Sequence, residues 1–167
     1  MADRHIRAFN RTSGALLWAY ETKGPSGGSA TIVDSTVFVG SWDKNYYALN
    51  GADGSKRWVY ASGGEIESHG AYADGVVYIT AEESHALIAL DSQSGKEIWK
   101  YDGPSQEMNG SPSLSNDLIY VCYPNRTKTL LHSSFHTNRY HGVGIRLAPT
   151  TVLCTLCTAT MARSHSK

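Results

Sequence analysis

Three stretches of the sequence, AFNRTSGALLW (residues 8–18), ALNGADGSKRW (48–58) and ALDSQSGKEIW (89–99), have Ala, Gly and Trp at matching positions. The tryptophans stand 40 and 41 residues apart, and the alanines and glycines keep the same intervals. Self-similarity at a fixed period of this length is the signature of a repeat architecture. These stretches indicate a repeat protein, and the rest of the chain is interpreted in their register.

A second element recurs in step with the first. It reads SATIVDSTVFV (29–39), HGAYADGVVYI (69–79) and SPSLSNDLIYV (111–121). Within one period, apolar runs rich in Val, Ile, Tyr, Phe and Trp predict four short strands. In the copy that starts near residue 30, these strands lie at about 30–33, 36–41, 45–50 and 56–61. No stretch keeps the 3.6-residue period of a helix.

Turn residues separate the predicted strands. The pairs Asp34-Ser35, Asp74-Gly75 and Asn116-Asp117 predict tight hairpins, because Asp, Asn and Gly tolerate positive φ. Four strands in about 40 residues are typical of a β-propeller blade. The predicted fold class is all-β: a partial propeller of about two complete and two half blades, followed by an irregular C-terminal tail.

The repeated Ala, Gly and Trp suggest a motif that docks one blade on the next. A Trp on an outer strand can bury its ring between blades against the small Ala of a neighbouring repeat. The Gly allows the turn before the fourth strand, and Asn or Asp caps that turn with its side chain. The motif residues are Ala8, Gly14, Trp18, Ala48, Gly54, Trp58, Ala89, Gly95 and Trp99.

These residues resemble the tryptophan-docking motif of the PQQ-like, quinoprotein dehydrogenase-type β-propeller repeat. The resemblance covers about residues 4–123, and residues 38–50 and 87–91 look like that family's inner strand pairs. The dipeptide Trp42-Asp43 occurs once only, which argues against the WD40 repeat. The family it resembles includes PQQ-dependent alcohol dehydrogenases, a lipoprotein that scaffolds outer-membrane protein assembly, and propellers appended to other enzymes. The fold alone therefore does not fix the function.

The resemblance also implies which residues a catalytic member should have. Those are two adjacent cysteines, a general-base Asp, and a Glu/Asn/Asp set that binds calcium beside the quinone. The sequence has no adjacent Cys pair, and none of the other positions can be matched. We therefore predict no catalytic, cofactor-binding or metal-binding residue. PQQ with calcium is expected only if the chain is part of a dehydrogenase.

The repeat stops at about Tyr123. The next docking unit should place Ala, Gly and Trp near residues 130, 136 and 140. The chain has Leu130, His136 and Tyr140 at these positions. The break falls in the middle of a blade, where no domain boundary is expected.

Charge is divided unevenly along the chain. Residues 1–125 contain nine Lys or Arg and fifteen Asp or Glu, whereas residues 126–167 contain six Lys or Arg and no Asp or Glu. We therefore divide the chain into propeller repeats at 1–123 and a basic, repeat-free tail at 124–167, expected to be disordered or aberrant. The tail is either a basic arm for acidic partners or sequence foreign to the propeller, such as an out-of-frame translation.

The overall composition excludes several classes of protein. The 167 residues are 41% hydrophobic, with 15 basic and 15 acidic side chains, which excludes wholly disordered, collagen-like and disulfide-dense chains. Zero net charge makes a general nucleic-acid binder an unfavoured interpretation. We expect no signal peptide, because residues 1–7 contain no apolar h-region. We expect no membrane span, because no apolar run approaches the roughly 20 residues needed. Nothing in the sequence indicates the compartment.

Acidic loop residues are predicted to gather on one rim of the blades. Because successive strands are antiparallel, the second-to-third-strand hairpins and the connections between blades lie at the same end. Loop charges usually only face solvent, but loops on a rigid scaffold also form binding surfaces. The candidate rim residues are Trp42, Asp43, Glu65, Glu67, His69, Glu82, Glu83, His85 and Glu107.

The three cysteines allow few predictions. Cys154 and Cys157 form one C-x-x-C, which could bind zinc with upstream histidines or could be two incidental thiols. Those histidines are His132, His136 and His141. Cys122 lies in an apolar strand pattern and is predicted to be an inert core thiol.

Two functions of different classes fit these observations. The first is a non-catalytic scaffold or protein-interaction module that binds a protein partner, or the remaining blades of a propeller, and needs no cofactor. The alternative is a fragment of a PQQ-dependent alcohol dehydrogenase. Two to three blades cannot close a ring and leave apolar faces uncovered, so we expect the chain to be marginally stable or to assemble with others.

Overall fold

The computed structural model describes residues 3–103 and 108–122, together with the backbone of residues 144–145. All regular structure in the described residues is β-strand. The strands are β1 (His5–Phe9), β2 (Leu16–Glu21), β3 (Thr31–Val33), β4 (Thr36–Gly40), β5 (Asn45–Asn50), β6 (Lys56–Ala61), β7 (Ala71–Ala73), β8 (Val76–Ala81), β9 (Ala86–Asp91), β10 (Glu97–Asp102), β11 (Ser113–Ser115), β12 (Leu118–Tyr120) and β13 (Gly144–Ile145).

The strands form four sheets that follow one another along the chain. We name them blade A (β1 and β2), blade B (β3–β6), blade C (β7–β10) and blade D (β11–β13). In blades B and C the strands are antiparallel and adjacent in sequence order. These up-and-down sheets confirm the all-β, partial-propeller fold with two complete blades between two incomplete ones.

The first strand of blades B, C and D is the inner one, because β7 lies next to both β3 and β11. In blade D, β11 and β12 are antiparallel, whereas β13 runs parallel to β12 through two residue pairs. The third strand of blades B and C is antiparallel to the second, so β13 does not reproduce a blade's third strand. The rest of the predicted tail lies outside the described residues.

Two-residue hairpins join the first and second strands of blades B, C and D. Asp34 and Ser35 have φ values of 45° and 61°, Asp74 and Gly75 have 48° and 83°, and Asn116 has 51°. Positive φ in such turns matches the right-handed twist of the flanking strands. The predicted hairpins are therefore confirmed.

Apolar side chains fill the spaces between consecutive blades. The middle strands of the complete blades are buried on both faces: all residues of β4 and most of β5, β8 and β9 are buried. This explains why runs such as 37–39 and 87–90 are apolar throughout and do not alternate. Each fully buried aliphatic side chain contributes about 1.5–3 kcal/mol. The outer strand β6 instead alternates between buried and exposed residues.

One core prediction is wrong, because Cys122 is exposed. Side chains alternate from β12 onward: Ile119 and Val121 are buried, and Tyr120 and Cys122 face outward. In extended backbone, successive side chains point to opposite faces. An apolar neighbourhood in the sequence therefore does not bury this thiol.

Candidate functional site

Trp18 of blade A lies on a glycine turn of blade B. Its indole Nε1 donates a hydrogen bond of 2.9 Å to the carbonyl oxygen of Gly51. A Cβ atom added to Gly54 would stand only 2.6 Å from the indole ring. The turn therefore offers bare backbone to the face of the ring, and Trp18 is buried to 9% exposure.

Trp58 of blade B repeats this contact on blade C. Its Nε1 donates to the carbonyl oxygen of Ser92 at 3.0 Å, and a Cβ on Gly95 would meet the ring at 2.6 Å. The sequence interpretation assigns this glycine to the turn alone, but the structure gives it a second role as the surface that the ring covers. The motif alanines lie opposite the tryptophans of their own blade, in the pairs Ala8–Trp18, Ala48–Trp58 and Ala89–Trp99.

The two ends of the docking series differ from its middle. Gly14 has a φ of 71°, close to the 74° of Gly54. However, no described atom lies within 4 Å of a Cβ added to Gly14. Trp99 is partly buried, and its ring centroid lies 5.9 Å from that of Tyr78 in its own blade. The glycine position one repeat beyond Gly95 falls outside the described residues.

The rim hairpin of blade B is held by the connection from blade A. The amide of Trp42 donates to the carbonyl of Pro25 at 2.8 Å, and the Ser26 hydroxyl donates to the carbonyl of Gly40 at 2.6 Å. The indole of Trp42 lies over Gly27, where an added Cβ would be 3.0 Å from Nε1. The backbone of this hairpin is thus fixed while 39% of Trp42 remains exposed.

The carboxylate of Asp43 forms hydrogen bonds within this hairpin and to the connection from blade A. It accepts hydrogen bonds from the Tyr47 hydroxyl at 2.6 Å, the Lys23 amide at 2.9 Å and the Asn45 amide at 3.0 Å. Partial burial raises the pKa of Asp43, but these hydrogen bonds outweigh it and hold the pKa below its ordinary value. Asp43 is therefore an anchor that joins the blade A connection to blade B.

The corresponding part of blade C is joined to blade B in two ways. The Glu82 amide donates to the Glu65 carbonyl at 2.9 Å, and the Lys44 ammonium pairs with the Glu83 carboxylate. The hydrogen bond to Glu83 and its negative charge raise the pKa of Lys44. The Lys44–Glu83 pair is exposed and contributes little to stability. The backbone contact fixes the loop.

The structure places eight of the nine candidate rim residues on these loops. Trp42, Glu67, His69 and Glu83 are exposed. Asp43, Glu65, Glu82 and His85 are partly buried. Glu107 lies outside the described residues. That the exposed members bind a partner stays a prediction.

His85 ends its hairpin in a left-handed conformation, with φ of 50°. Its carbonyl accepts the Gly103 amide at 2.7 Å, which joins the hairpin to the next connection. Its ring Nδ1 is buried and has no hydrogen-bond partner among the described residues. The sequence predicts His85 as a rim residue. In the structure its backbone carbonyl holds the hairpin to the connection that follows blade C.

Several residues that build the rim are missed by the sequence predictions. Ile66, in the connection from blade B to blade C, is fully buried, and its side chain lies against Gly40. The hydroxyls of Thr22 and Ser62, each at the start of a connection, lie within hydrogen-bond distance of two carbonyl oxygens, at 2.9 and 2.6 Å in both cases, and can donate to either. The 40-residue interval between these two hydroxyls was a signal that could have identified them.

Neither a metal-binding cluster nor a membrane-spanning helix is present in the described residues. Within 3–103 and 108–122, no three His, Cys, Asp or Glu side chains are grouped so that they could hold a metal ion. No helix long and apolar enough to cross a membrane occurs in that part of the chain. The cysteines and histidines of the zinc hypothesis, at 132, 136, 141, 154 and 157, lie outside the described residues.

Comparison with known proteins gives matches to dehydrogenases and to an assembly factor. Polyvinylalcohol dehydrogenase from a Pseudomonas species is 31% identical over 115 residues, which is 62% of this chain and 18% of that protein. Outer membrane protein assembly factor BamB from Shewanella oneidensis is 31% identical over 87 residues, which is 51% of this chain and 22% of the factor. The chain thus spans about a fifth of these relatives.

Solved structures show the same fold. BamB from Moraxella catarrhalis superposes with a TM-score of 0.65 at 22% identity, over 72% of this chain and 38% of that one. Quinohemoprotein alcohol dehydrogenase ADHIIG from Pseudomonas putida HK5 gives 0.59 at 20% identity, over 66% and 19%. A family model described as outer membrane protein assembly factor BamB matches residues 2–133. The chain therefore belongs to that family, whose members are built from PQQ-like β-propeller repeats.

Proposed function

We propose that this chain works as a non-catalytic interaction module whose contact surface is the rim. The observation that supports it is the contrast between fixed backbone and exposed side chains. Hydrogen bonds between blades hold both hairpins, while Trp42, Glu67 and Glu83 remain exposed. A surface that is already ordered loses little conformational entropy on binding, so its contacts are converted more fully into affinity.

The charge of the rim specifies the chemistry of the partner. Acidic side chains outnumber basic ones on the two hairpins and the connections that hold them. The carboxylates are Asp43, Glu65, Glu67, Glu82 and Glu83, and the lysines are Lys23 and Lys44. We infer a protein segment with basic side chains and one apolar group, which would pack on the exposed edge of Trp42.

The names of the relatives cover both a scaffold and enzymes, and the family model is described by the name of the scaffold. One relative and one solved structure bear the name of an outer membrane protein assembly factor, while other relatives bear the names of dehydrogenases. A scaffold role uses only the loops that the structure describes. It needs no cofactor.

A peptide-display selection against the immobilised chain tests the proposal. Recovered peptides should be basic with an aromatic or aliphatic residue. In calorimetric titrations, Trp42→Ala and Glu67→Gln should each weaken binding at least about tenfold. Arg57→Ala, which changes an exposed residue near the opposite end of blade B, is the matched control and should leave binding unchanged. Equal loss in the control, or peptides without a basic bias, would contradict the proposal.

A second candidate function is a piece of a PQQ-dependent alcohol dehydrogenase, and it rests on the match to polyvinylalcohol dehydrogenase. Calcium with the quinone needs a cluster of oxygen ligands. The residues at 3–103 and 108–122 do not provide such a cluster of acidic side chains. Titration with PQQ and calcium separates the two functions. A bound-quinone spectrum with dye-linked alcohol oxidation would replace the scaffold proposal, and no spectral change is the result expected.

A further inference from the structure

The hairpin of blade A that contains Gly14 has the geometry of a docking turn. The Gly14 amide donates to the Asn10 carbonyl at 2.8 Å, as the Gly54 amide does to the Asn50 carbonyl. The Asn10 amide also donates to the Ala15 carbonyl at 2.8 Å, which repeats the bond closing the blade B turn. The turn of blade A is thus preformed to the same pattern as the turn that receives Trp18.

Exposure around Gly14 shows that this preformed turn is uncovered. Phe9 precedes the turn and is 57% exposed, whereas Leu49 and Leu90, at the same repeat position, are completely buried. Leu16, which is paired with Phe9 across this hairpin, is 54% exposed. Its repeat position is exposed in blades B and C as well, but there it holds the charged residues Lys56 and Glu97. Blade A therefore has an exposed apolar pair, Phe9 and Leu16, beside its turn, which indicates a contact site.

The chain also carries the group that fits this turn. Trp99 stands at the position of Trp18 and Trp58, and it is less completely buried than either. Each of the other two tryptophans covers the glycine of the next repeat, but the next repeat position after Gly95 is His136 in the sequence. The molecule thus has one docking glycine without a described ring and one docking Trp without a glycine at the next repeat position.

We propose that two copies of this chain associate head to tail, with Trp99 of one copy seated on the Gly14 turn of the other. The indole of Trp99 covers Gly14, and its Nε1 donates to the carbonyl of Arg11, the position that Gly51 holds in the blade A–blade B contact. Phe9 becomes buried, as its counterparts Leu49 and Leu90 are.

The same contact completes a blade. Trp58, in blade B, docks on blade C, whose first two strands are β7 and β8. By the same rule, Trp99, in blade C, should dock on the blade whose first two strands are β11 and β12. Docking Trp99 on the second copy therefore sets β1 and β2 of that copy beside β11 and β12. The result is one four-stranded sheet made from two copies. In it, β1 takes the edge of β12 that β13 now occupies through two parallel residue pairs.

Such an interface is heterologous, because the two surfaces in contact are different. It generates closed rings or open chains of copies, according to the rotation between neighbours. The docking turns lie at the end of the blades opposite the rim, so the proposal does not depend on binding at the rim. Loss of rim binding and loss of self-association can therefore be told apart.

Sedimentation of the full chain over a wide range of concentration tests the proposal. The wild-type chain should associate reversibly, and Gly14→Asn should weaken association at least about tenfold. Asn tolerates positive φ, so this variant keeps the turn while its side chain fills the space above it. Gly75→Asn is the matched control, because Gly75 also has positive φ and open space at its Cβ. It should associate as the wild type does.

A mixing experiment separates head-to-tail docking from other contacts. Trp99→Ala removes the ring and leaves Gly14 intact, whereas Gly14→Asn leaves Trp99 intact. Each variant should be monomeric alone, and their mixture should form a one-to-one dimer. A wild-type chain that stays monomeric overturns the proposal. So does a Gly14→Asn chain that associates normally, or a mixture that forms no dimer.

Discussion

At the residue scale, the docking glycines meet two independent demands. Gly54 has φ of 74°, which residues with a Cβ adopt at a cost of about 1–2 kcal/mol. It also lies under the ring of Trp18, where a Cβ would stand at 2.6 Å. Gly14 meets the first demand alone, since no described atom lies near its added Cβ. Comparing the two positions separates the cost of backbone strain from the cost of displacing a ring.

We predict that Gly54→Ala destabilises the chain by about 2–4 kcal/mol, since strain and overpacking add. In the unassociated chain, Gly14→Ala introduces backbone strain only and should cost about 1–2 kcal/mol. Urea unfolding at one low chain concentration, at which copies do not associate, measures both values. Equal losses at the two positions would show that the Trp18 contact contributes nothing.

Asp43 carries a pH dependence whose direction follows from its contacts. Its pKa in the folded chain lies below the ordinary 3.8, because hydrogen bonds from Tyr47, Lys23 and Asn45 favour the carboxylate despite partial burial. The charged form is therefore stabilised by folding. This contribution is present above pH 3.8 and is lost as the pH falls through the lower folded pKa.

Asp43→Asn should lower the melting temperature at neutral pH and have a smaller effect well below pH 3.8, where the wild-type carboxyl is itself protonated. Tyr47→Phe removes one of the donors to the same carboxylate and serves as the second arm of a double-mutant cycle. A loss from Asp43→Asn that is the same at both pH values would mean that the carboxylate's charge is not what stabilises the loop.

At the element scale, the connections between blades are hydrogen-bonded to the sheets that they join. The connection from blade B to blade C forms backbone hydrogen bonds with the hairpins of both blades, through Ile66 to Ser41 at 3.3 Å and through Glu65 to Glu82 at 2.9 Å. It also inserts the side chain of Ile66 between the sheets. Each connection is therefore part of the packing between blades and presents the rim residues on a fixed backbone.

Ile66→Ala should destabilise the chain by about 2–5 kcal/mol, the range for removing a buried aliphatic side chain and leaving a cavity. Ile32→Ala is the matched control, because Ile32 is 69% exposed on β3 and should cost little. Denaturant midpoints of both variants against the wild type check the prediction. A small effect of Ile66→Ala would mean that the connection is not a core element.

At the scale of the whole molecule, the blades depend on one another. The buried clusters lie between blades A and B, between B and C, and between C and D, so each sheet is stabilised by its neighbours. In such arrays, stability is close to a sum of unit and interface contributions. A face without a neighbour lowers this sum, and association of copies raises it.

The melting temperature of the chain should therefore rise with chain concentration, because association adds an interface to the folded state only. A Gly14→Asn chain should melt at one temperature over the same range. Scanning calorimetry at several concentrations checks this. A wild-type melting temperature that is independent of concentration would mean that the uncovered face of blade A is stable alone.

Removal of residues 124–167 tests the proposed domain division. Since the repeat ends at about Tyr123, the 1–123 chain should keep the near-ultraviolet spectrum of the docked tryptophans and melt within a few degrees of the full chain. The tail boundary is a sequence prediction, and β13 is the one described element beyond it. Complete loss of the folded spectrum on truncation would place essential packing after residue 123.

Local patterns in the sequence predict the repeat, the four strands of each unit, the hairpin turns and the glycines that precede the fourth strand. These are local properties, set by side-chain period and by which residues tolerate positive φ. The folded structure is needed to show which atoms meet between blades. In that structure Gly54 and Gly95 lie under tryptophan rings, and Asp43 accepts hydrogen bonds from Tyr47 and from the connection between blades. Ile66 is buried and Cys122 is exposed. Such contacts join residues a full repeat apart and depend on the packing of whole sheets, which no local pattern records.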